Sequence, residues 1–134
     1  MANLLRMSNA VSLALHAMVY LARNLERFVP VREIAQAYSV SGNHLAKVYQ
    51  CLERSGLIRG SRGPCGGFKL AKPPSEITLL DIHTAVEGPI EPNKCLLGKP
   101  ICGGQCILGG LIESVNHQVL QYLRSTTLAQ LSSC

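Results

Sequence analysis

Two helix-like runs separated by only three residues, Ser39-Val40-Ser41, and followed at once by a glycine-dense turn, restrict this chain's fold more than any other stretch. Residues 31–38 place Ile34, Ala35 and Tyr38 at helical spacing after Pro30, which predicts a short helix with those side chains inward. Ser41 suits an N-cap, because its hydroxyl can accept from a free backbone N–H of the next turn. A second helix is expected from there to about Ser55, with Gly56 as its stop. Leu57-Ile58-Arg59 and Phe68-Lys69-Leu70 then read as short strands around Gly60-Ser-Arg-Gly-Pro-Cys-Gly-Gly67. Helix, tight turn, helix and hairpin in that order predict a mainly α chain: a winged helix-turn-helix with a two-stranded β wing.

The flanking segments are helical too. Val11, Leu15, Met18, Ala22 and Leu25 recur at three- and four-residue spacing, predicting a largely buried helix over residues 8–26. Ser12, His16 and Tyr20 form a separate polar row on it, so a polar group should face them. Thr78 with Asp81 three residues on resembles a capping box and opens a helix over 78–86. A long C-terminal helix is expected from Cys106 to Arg124. Its Leu108, Ile112, Val115, Val119 and Tyr122 make a narrow 4-3 seam, as expected of a homodimer interface. Thr127 is placed to cap a last turn, Leu128–Leu131.

The net charge of +5 is unevenly spread. Residues 1–72 carry ten Lys/Arg against three Glu, a net +7, whereas residues 73–134 carry three against five, a net −2. A basic N-terminal half calls for a polyanionic partner. Double-stranded DNA fits the helix-turn-helix, and a dimer would read a palindromic operator. The expected contacts are Ser41, Asn43, His44, Lys47 and Arg54 from the second helix of the motif. From the wing they are Arg59, Ser61, Arg62 and Gly63, with Arg62 able to enter a minor groove.

Six cysteines stand in a chain with no recognisable secretory leader and no apolar stretch long enough to span a bilayer. The expected location is cytoplasmic, with no membrane partner, and thiols there stay reduced. Cys95, Cys102 and Cys106 cluster in a Gly/Pro-rich stretch and read as metal ligands or redox groups. His16, on an otherwise apolar helix, is a candidate fourth ligand; the competing expectation is a buried histidine bonded to a carbonyl. Three thiolates and an imidazole would also suit structural zinc. Cys51 reads as a small apolar residue, Cys65 as a substitution in the wing, and Cys134 has no assigned role. No Ser/His/Asp arrangement, phosphate loop or carboxylate pair has support, so no enzyme is expected.

Several runs resemble one family. They are Ser41-Gly-Asn-His-Leu-Ala-Lys47, Arg62-Gly-Pro-Cys-Gly-Gly-Phe-Lys-Leu-Ala-Lys-Pro-Pro74, Ile77-Thr-Leu-Leu-Asp-Ile82 with Glu87-Gly88, and Thr127-Leu-Ala-Gln-Leu131. Together they are similar to the Rrf-type winged-helix transcription regulators, the IscR/NsrR-like iron–sulfur or redox-sensing repressors. The resemblance implies a dimer joined by the long C-terminal helix and a repressor that senses iron–sulfur status, redox state or nitric oxide. It also implies a two-iron or four-iron iron–sulfur cluster on cysteines matching Cys95, Cys102 and Cys106. Six residues separate the first pair here and three the second, a departure from the family's usual spacing. One branch places a histidine where this chain has Gly109, another an acid where it has Ser12; a first-helix histidine supplied by the partner subunit matches His16. A regulator without a cluster, sensing by thiol oxidation or a partner protein, is the alternative. The expected divisions are a DNA-binding domain over 1–88, a cysteine-bearing sensor loop over 89–105, and a dimerisation helix and tail over 106–134.

Overall fold

The computed structural model describes residues 7–64, 66–90 and 107–132. Helix α1 (Asn9–Ala22) is the hub. Val11, Ala14, Ala17, Met18 and Leu21 are all fully buried on it, and it packs against the elements that follow from both halves of the chain. The Ser8 hydroxyl accepts from the Val11 N–H at 3.1 Å and opens the helix. The helix closes at Ala22, four residues short of the expected end. Asn24 explains the difference: its side-chain amide donates to the Tyr20 carbonyl at 2.9 Å, while its backbone N–H takes the Leu21 carbonyl at 3.1 Å. The last turn tightens and the chain leaves the axis, so Leu25, expected inward, is 47% exposed.

Helix α2 (Val31–Tyr38) follows Pro30, which offers no side-chain cap. It ends at Ser39, the one non-glycine residue with positive φ (54°) among those described. Ile34 is buried as expected, but Tyr38 is not inward. Its ring lies across the outside of α1, edge-on to His16 and Tyr20. The polar row on α1 finds its partner in Glu33 of α2. Tyr20 donates to Glu33 Oε2 at 2.6 Å, and Arg27 grips both oxygens at 2.8 and 2.5 Å. Hydrogen bonds from Arg27 and then Tyr20 hold the Glu33 carboxyl down at about 2.

Helix α3 (Gly42–Arg54) buries Leu45, Val48, Tyr49 and Leu52. Strands β1 (Ile58–Ser61) and β2 (Gly67–Leu70) pair antiparallel, Ile58 opposite Leu70 and Arg59 opposite Lys69. Val29, in the α1–α2 connection, adds a third row. It exchanges both backbone hydrogen bonds with Phe68, each at 2.8 Å, and Phe68 in turn meets the Tyr49 ring edge-on at 4.7 Å. Gly67 lets Val29 come this close. Its φ is +152°, and a Cβ there would lie 2.4 Å from the Val29 carbonyl carbon.

After a short 3-10 turn (Pro74–Glu76), α4 (Leu79–Glu87) starts at the expected capping box. The Asp81 N–H donates to the Thr78 hydroxyl at 3.1 Å, and the Thr78 N–H to the Asp81 carboxylate at 3.0 Å. Helix α5 (Leu111–Ser125) begins later than expected. Gly109 takes a left-handed φ of 60°, so Leu108 stands in a turn before the helix; Cys106 lies outside the described residues. The chain then returns to the first half. Leu79 N–H donates to the Thr126 carbonyl and Leu128 N–H to the Ile77 carbonyl, each at 3.0 Å, pairing Thr78 with Thr127. Helix α6 (Leu128–Ser132) opens there, with the Thr127 N–H held by Gln130 Oε1 at 2.9 Å. Leu123 and Leu128 are buried in the same core as α1. No helix among the described residues is long and apolar enough to cross a membrane.

The contact at Gly67 gives a direct test. Gly67→Ala must push Val29 away or strain the backbone, and should destabilise the fold by about 2–3 kcal/mol. The denaturant midpoint should fall accordingly; an unchanged midpoint would show that the Val29 pairing is dispensable.

Candidate nucleic-acid interface

Ser41 caps α3 through the His44 N–H at 3.4 Å. This fixes where the helix starts and therefore which side chains share its outer face. Asn43, Lys47, Gln50 and Arg54 recur at i, i+4, i+7 and i+11, one face of a helix turning roughly 100° per residue, and all four are exposed. His44 is half-buried at the edge of that face. The wing supplies the rest: Arg59, Ser61, Arg62 and Gly63 are all exposed. Its tip is closed by the Gly66 N–H donating to the Gly63 carbonyl at 2.9 Å. The helix-turn-helix thus places five of the sequence-expected residues on α3 and its cap, and the hairpin places four on the wing.

Among the described residues, none of Lys47, Arg54, Arg59, Arg62 or Lys69 stands in an ion pair; the pair found there is Arg27–Glu33. Arg27 is therefore neutralised, while the basic groups of α3 and the wing keep their charge for another partner. The sequence reading passes over two residues here. Phe28 lies beside Val29, so it continues the row that Lys69 and Arg59 make across the hairpin. The Lys69 ammonium is 4.8 Å and the Arg59 guanidinium carbon 5.9 Å from the Phe28 ring centroid. The pairing of residues 58 and 70 was readable from the strand pattern, and would have set Lys69 opposite Arg59; the arrival of Phe28 was not readable.

The candidate metal ligands divide. Cys95, Cys102 and Cys106 lie outside the described residues, as do Cys65 and Cys134. Cys51 is a half-buried free thiol on α3. His16 is exposed rather than buried, and its Nδ1 lies 2.7 Å from the Ser12 carbonyl. A carbonyl only accepts, so Nδ1 carries a proton, and of the two neutral tautomers this contact selects the one with its lone pair on Nε2. Tyr38 steadies the residue twice, its ring edge-on at 5.8 Å and its hydroxyl donating to the His16 carbonyl at 3.3 Å. A ring nitrogen donating to a backbone carbonyl is the usual support of a metal-binding imidazole. Among the described residues, no group of three His, Cys, Asp or Glu is placed to hold a metal.

The expected seam on α5 separates into two faces. Val119 packs against the protein's own core next to buried Leu123, and Ile112 shares their side of the helix and is half-buried. Leu111, Val115 and Tyr122 form a second stripe that is 55%, 44% and 58% exposed, and Ile107, in the turn before the helix, is 83% exposed. The two faces lie roughly 100° apart at helical spacing, and a 4-3 count along the sequence merges them.

Comparison with known proteins agrees with this architecture. The Rrf2 family model, described as an iron-dependent transcriptional regulator, matches residues 7–133. An HTH-type transcriptional regulator of Aquifex aeolicus is 35% identical over 128 residues, covering 92% of this chain and 89% of the relative. The regulator IscR of Serratia proteamaculans is 31% identical over 105 residues, covering 77% of this chain and 63% of IscR. Among solved structures, CymR, the global cysteine regulator of B. subtilis, superposes with a TM-score of 0.81 at 30% identity, covering 97% of this chain and 98% of CymR. With a helix-turn-helix, a basic wing and a family match over nearly its whole length, the chain belongs to the Rrf2 family and is a winged-helix, DNA-binding transcriptional regulator.

Proposed function

We propose that this regulator acts as a homodimer that lays α3 in the major groove and the wing in the adjacent minor groove of a palindromic operator. In this reading it reports iron–sulfur or redox status through Cys95, Cys102 and Cys106. The observation that carries the DNA geometry is the unpaired basic surface shared by α3 and the wing. Asn43 and Lys47 reach base edges, Arg62 enters the minor groove, and Ser41, His44, Arg54, Arg59, Ser61 and Gly63 hold the flanking backbone. Lys47→Ala and Arg62→Ala should each weaken operator binding by about 1–3 kcal/mol, measured by fluorescence anisotropy at fixed salt. Wild-type affinity in both variants would remove α3 and the wing from the interface.

The dimer contact is the exposed stripe Leu111, Val115 and Tyr122 of α5. A two-fold interface must be self-complementary, and an apolar stripe of one helix meets its own copy well. Apolar area left in water by the monomer is what such an interface would cover. Val115→Glu should give monomers in sedimentation velocity with the helical content of the parent. A variant that still sediments as a dimer would place the contact elsewhere.

The sensing site is the 89–105 segment with Cys106. When bound, an iron–sulfur cluster would supply a redox-active centre held by thiolates. His16 fits a fourth position, because its Nδ1–H is already committed to Ser12 and Nε2 is free to ligate. The segment joins the end of α4 to the start of α5; α4 packs on both α5 and α1, and its end is tied to α1. The Ser8 hydroxyl that caps α1 donates to the Glu87 carboxylate at the last residue of α4. A change in the segment therefore acts on the element that carries the helix-turn-helix. Each of Cys95→Ser, Cys102→Ser and Cys106→Ser should lose most visible absorbance and bound iron after anaerobic reconstitution, while Cys51→Ser should not. Full iron and sulfide in the triple variant would rule the cluster out. A second reading, thiols sensing sulfur or redox status without metal, draws on the likeness to the cysteine regulator CymR; reversible thiol oxidation in metal-free protein would then change operator affinity.

A further inference from the structure

The outer face of the wing carries an arrangement that the helix-turn-helix alone does not require. Arg59 and Lys69 are direct cross-strand partners, so two like charges stand opposite each other on one face. Such pairs are unfavourable in a sheet. Phe28, delivered to the same row by the Val29–Phe68 pairing, offsets the repulsion by presenting its ring to both cations. The ring holds the two charges together without neutralising either. Neither is in an ion pair among the described residues. The Glu53 carboxylate of α3 sits beside Gly60 together with the Phe68 ring, on the opposite face of the hairpin.

Two cations fixed side by side over an aromatic ring make a site for an anion. The anion is identified by position. Arg59 lies three residues behind Arg62 on the wing, roughly 10 Å along an extended strand. That exceeds the ~6 Å width of a minor groove. A tip residue inside the groove therefore leaves the row over the bank of the groove, where phosphates lie and base edges do not. We propose that Phe28, Lys69 and Arg59 form a second phosphate-binding site that grips the DNA backbone beside the groove entered by the wing tip. Lys69 and Phe28 are thus functional residues of this regulator, Lys69 as a direct contact and Phe28 as a positioning residue. The proposal rests on the reading that the wing faces DNA.

The test uses the full chain, a duplex selected by the wild-type protein from a random library, and a scrambled duplex of equal length. Affinities are measured across a salt series. Lys69→Gln should make the slope of log affinity against log salt shallower by about 0.9, the contribution of one phosphate contact. It should weaken both duplexes by the same factor, leaving their ratio unchanged. Lys69→Arg should restore the slope. Phe28→Leu keeps apolar cover but removes the ring face, and should lower the slope in the same direction with unchanged helical content. A Lys69→Gln protein with the wild-type slope and affinity overturns the site and leaves the DNA reading intact. A wild-type chain that selects no duplex overturns that reading, and the site with it.

Discussion

Two backbone hydrogen bonds between Val29 and Phe68 hold the reading head in register. They join the α1–α2 connection to the wing, and they set Phe68 against Tyr49 on the inner side of α3. Helix α3, the wing and the connection that follows α1 are therefore fixed to one another through three adjoining residues. Gly67 makes this possible by having no Cβ where the Val29 carbonyl must pass. The pairing also has an outer consequence, because fixing Val29 in the sheet fixes Phe28 beside Lys69.

What was legible in the sequence was local chemistry. Ser41 and Thr78 announce helix starts because the cap is a bond between a side chain and its own following turn, and both are found as expected. The wing strands were found to within two residues, because glycine density and apolar alternation are short-range signals. What was not legible depends on distant partners. The end of α1 is decided by Asn24 turning back on Tyr20, so Leu25 leaves the core despite its spacing. Tyr38 looked inward by periodicity, but α1 offers it an aromatic surface outside. The seam on α5 failed to separate because a helix packed on its own core, with a second apolar stripe left over, reads as one heptad pattern.

The candidate site followed the same division. The exposed face of α3 could be read from spacing alone, since a capped helix of known start has a known outer face. The cation row on the wing could not, because it needs Phe28 from the connection after α1, far from both Arg59 and Lys69 in sequence. His16 shows an intermediate case. Its place in a polar row was visible, but its tautomer follows only from the Ser12 carbonyl that Nδ1 faces. The structure turns an expected donor into one with a defined atom available for ligation.

The pairing of residues 77–79 with residues 126–128 has a consequence for the order in which this chain can fold. Leu123 and Leu128 complete the core around α1, although well over a hundred residues separate the start of that helix from Leu128. During synthesis the part of the buried face of α1 that α6 covers stays open until the segment beyond residue 128 has left the ribosome. Contacts of such long sequence separation are slow to close. The helix-turn-helix and wing, whose contacts are nearer in sequence, are positioned to form first and wait for their lid. A nascent or truncated chain would thus present a DNA-reading surface on an unfinished core, exposed to chaperones and proteases.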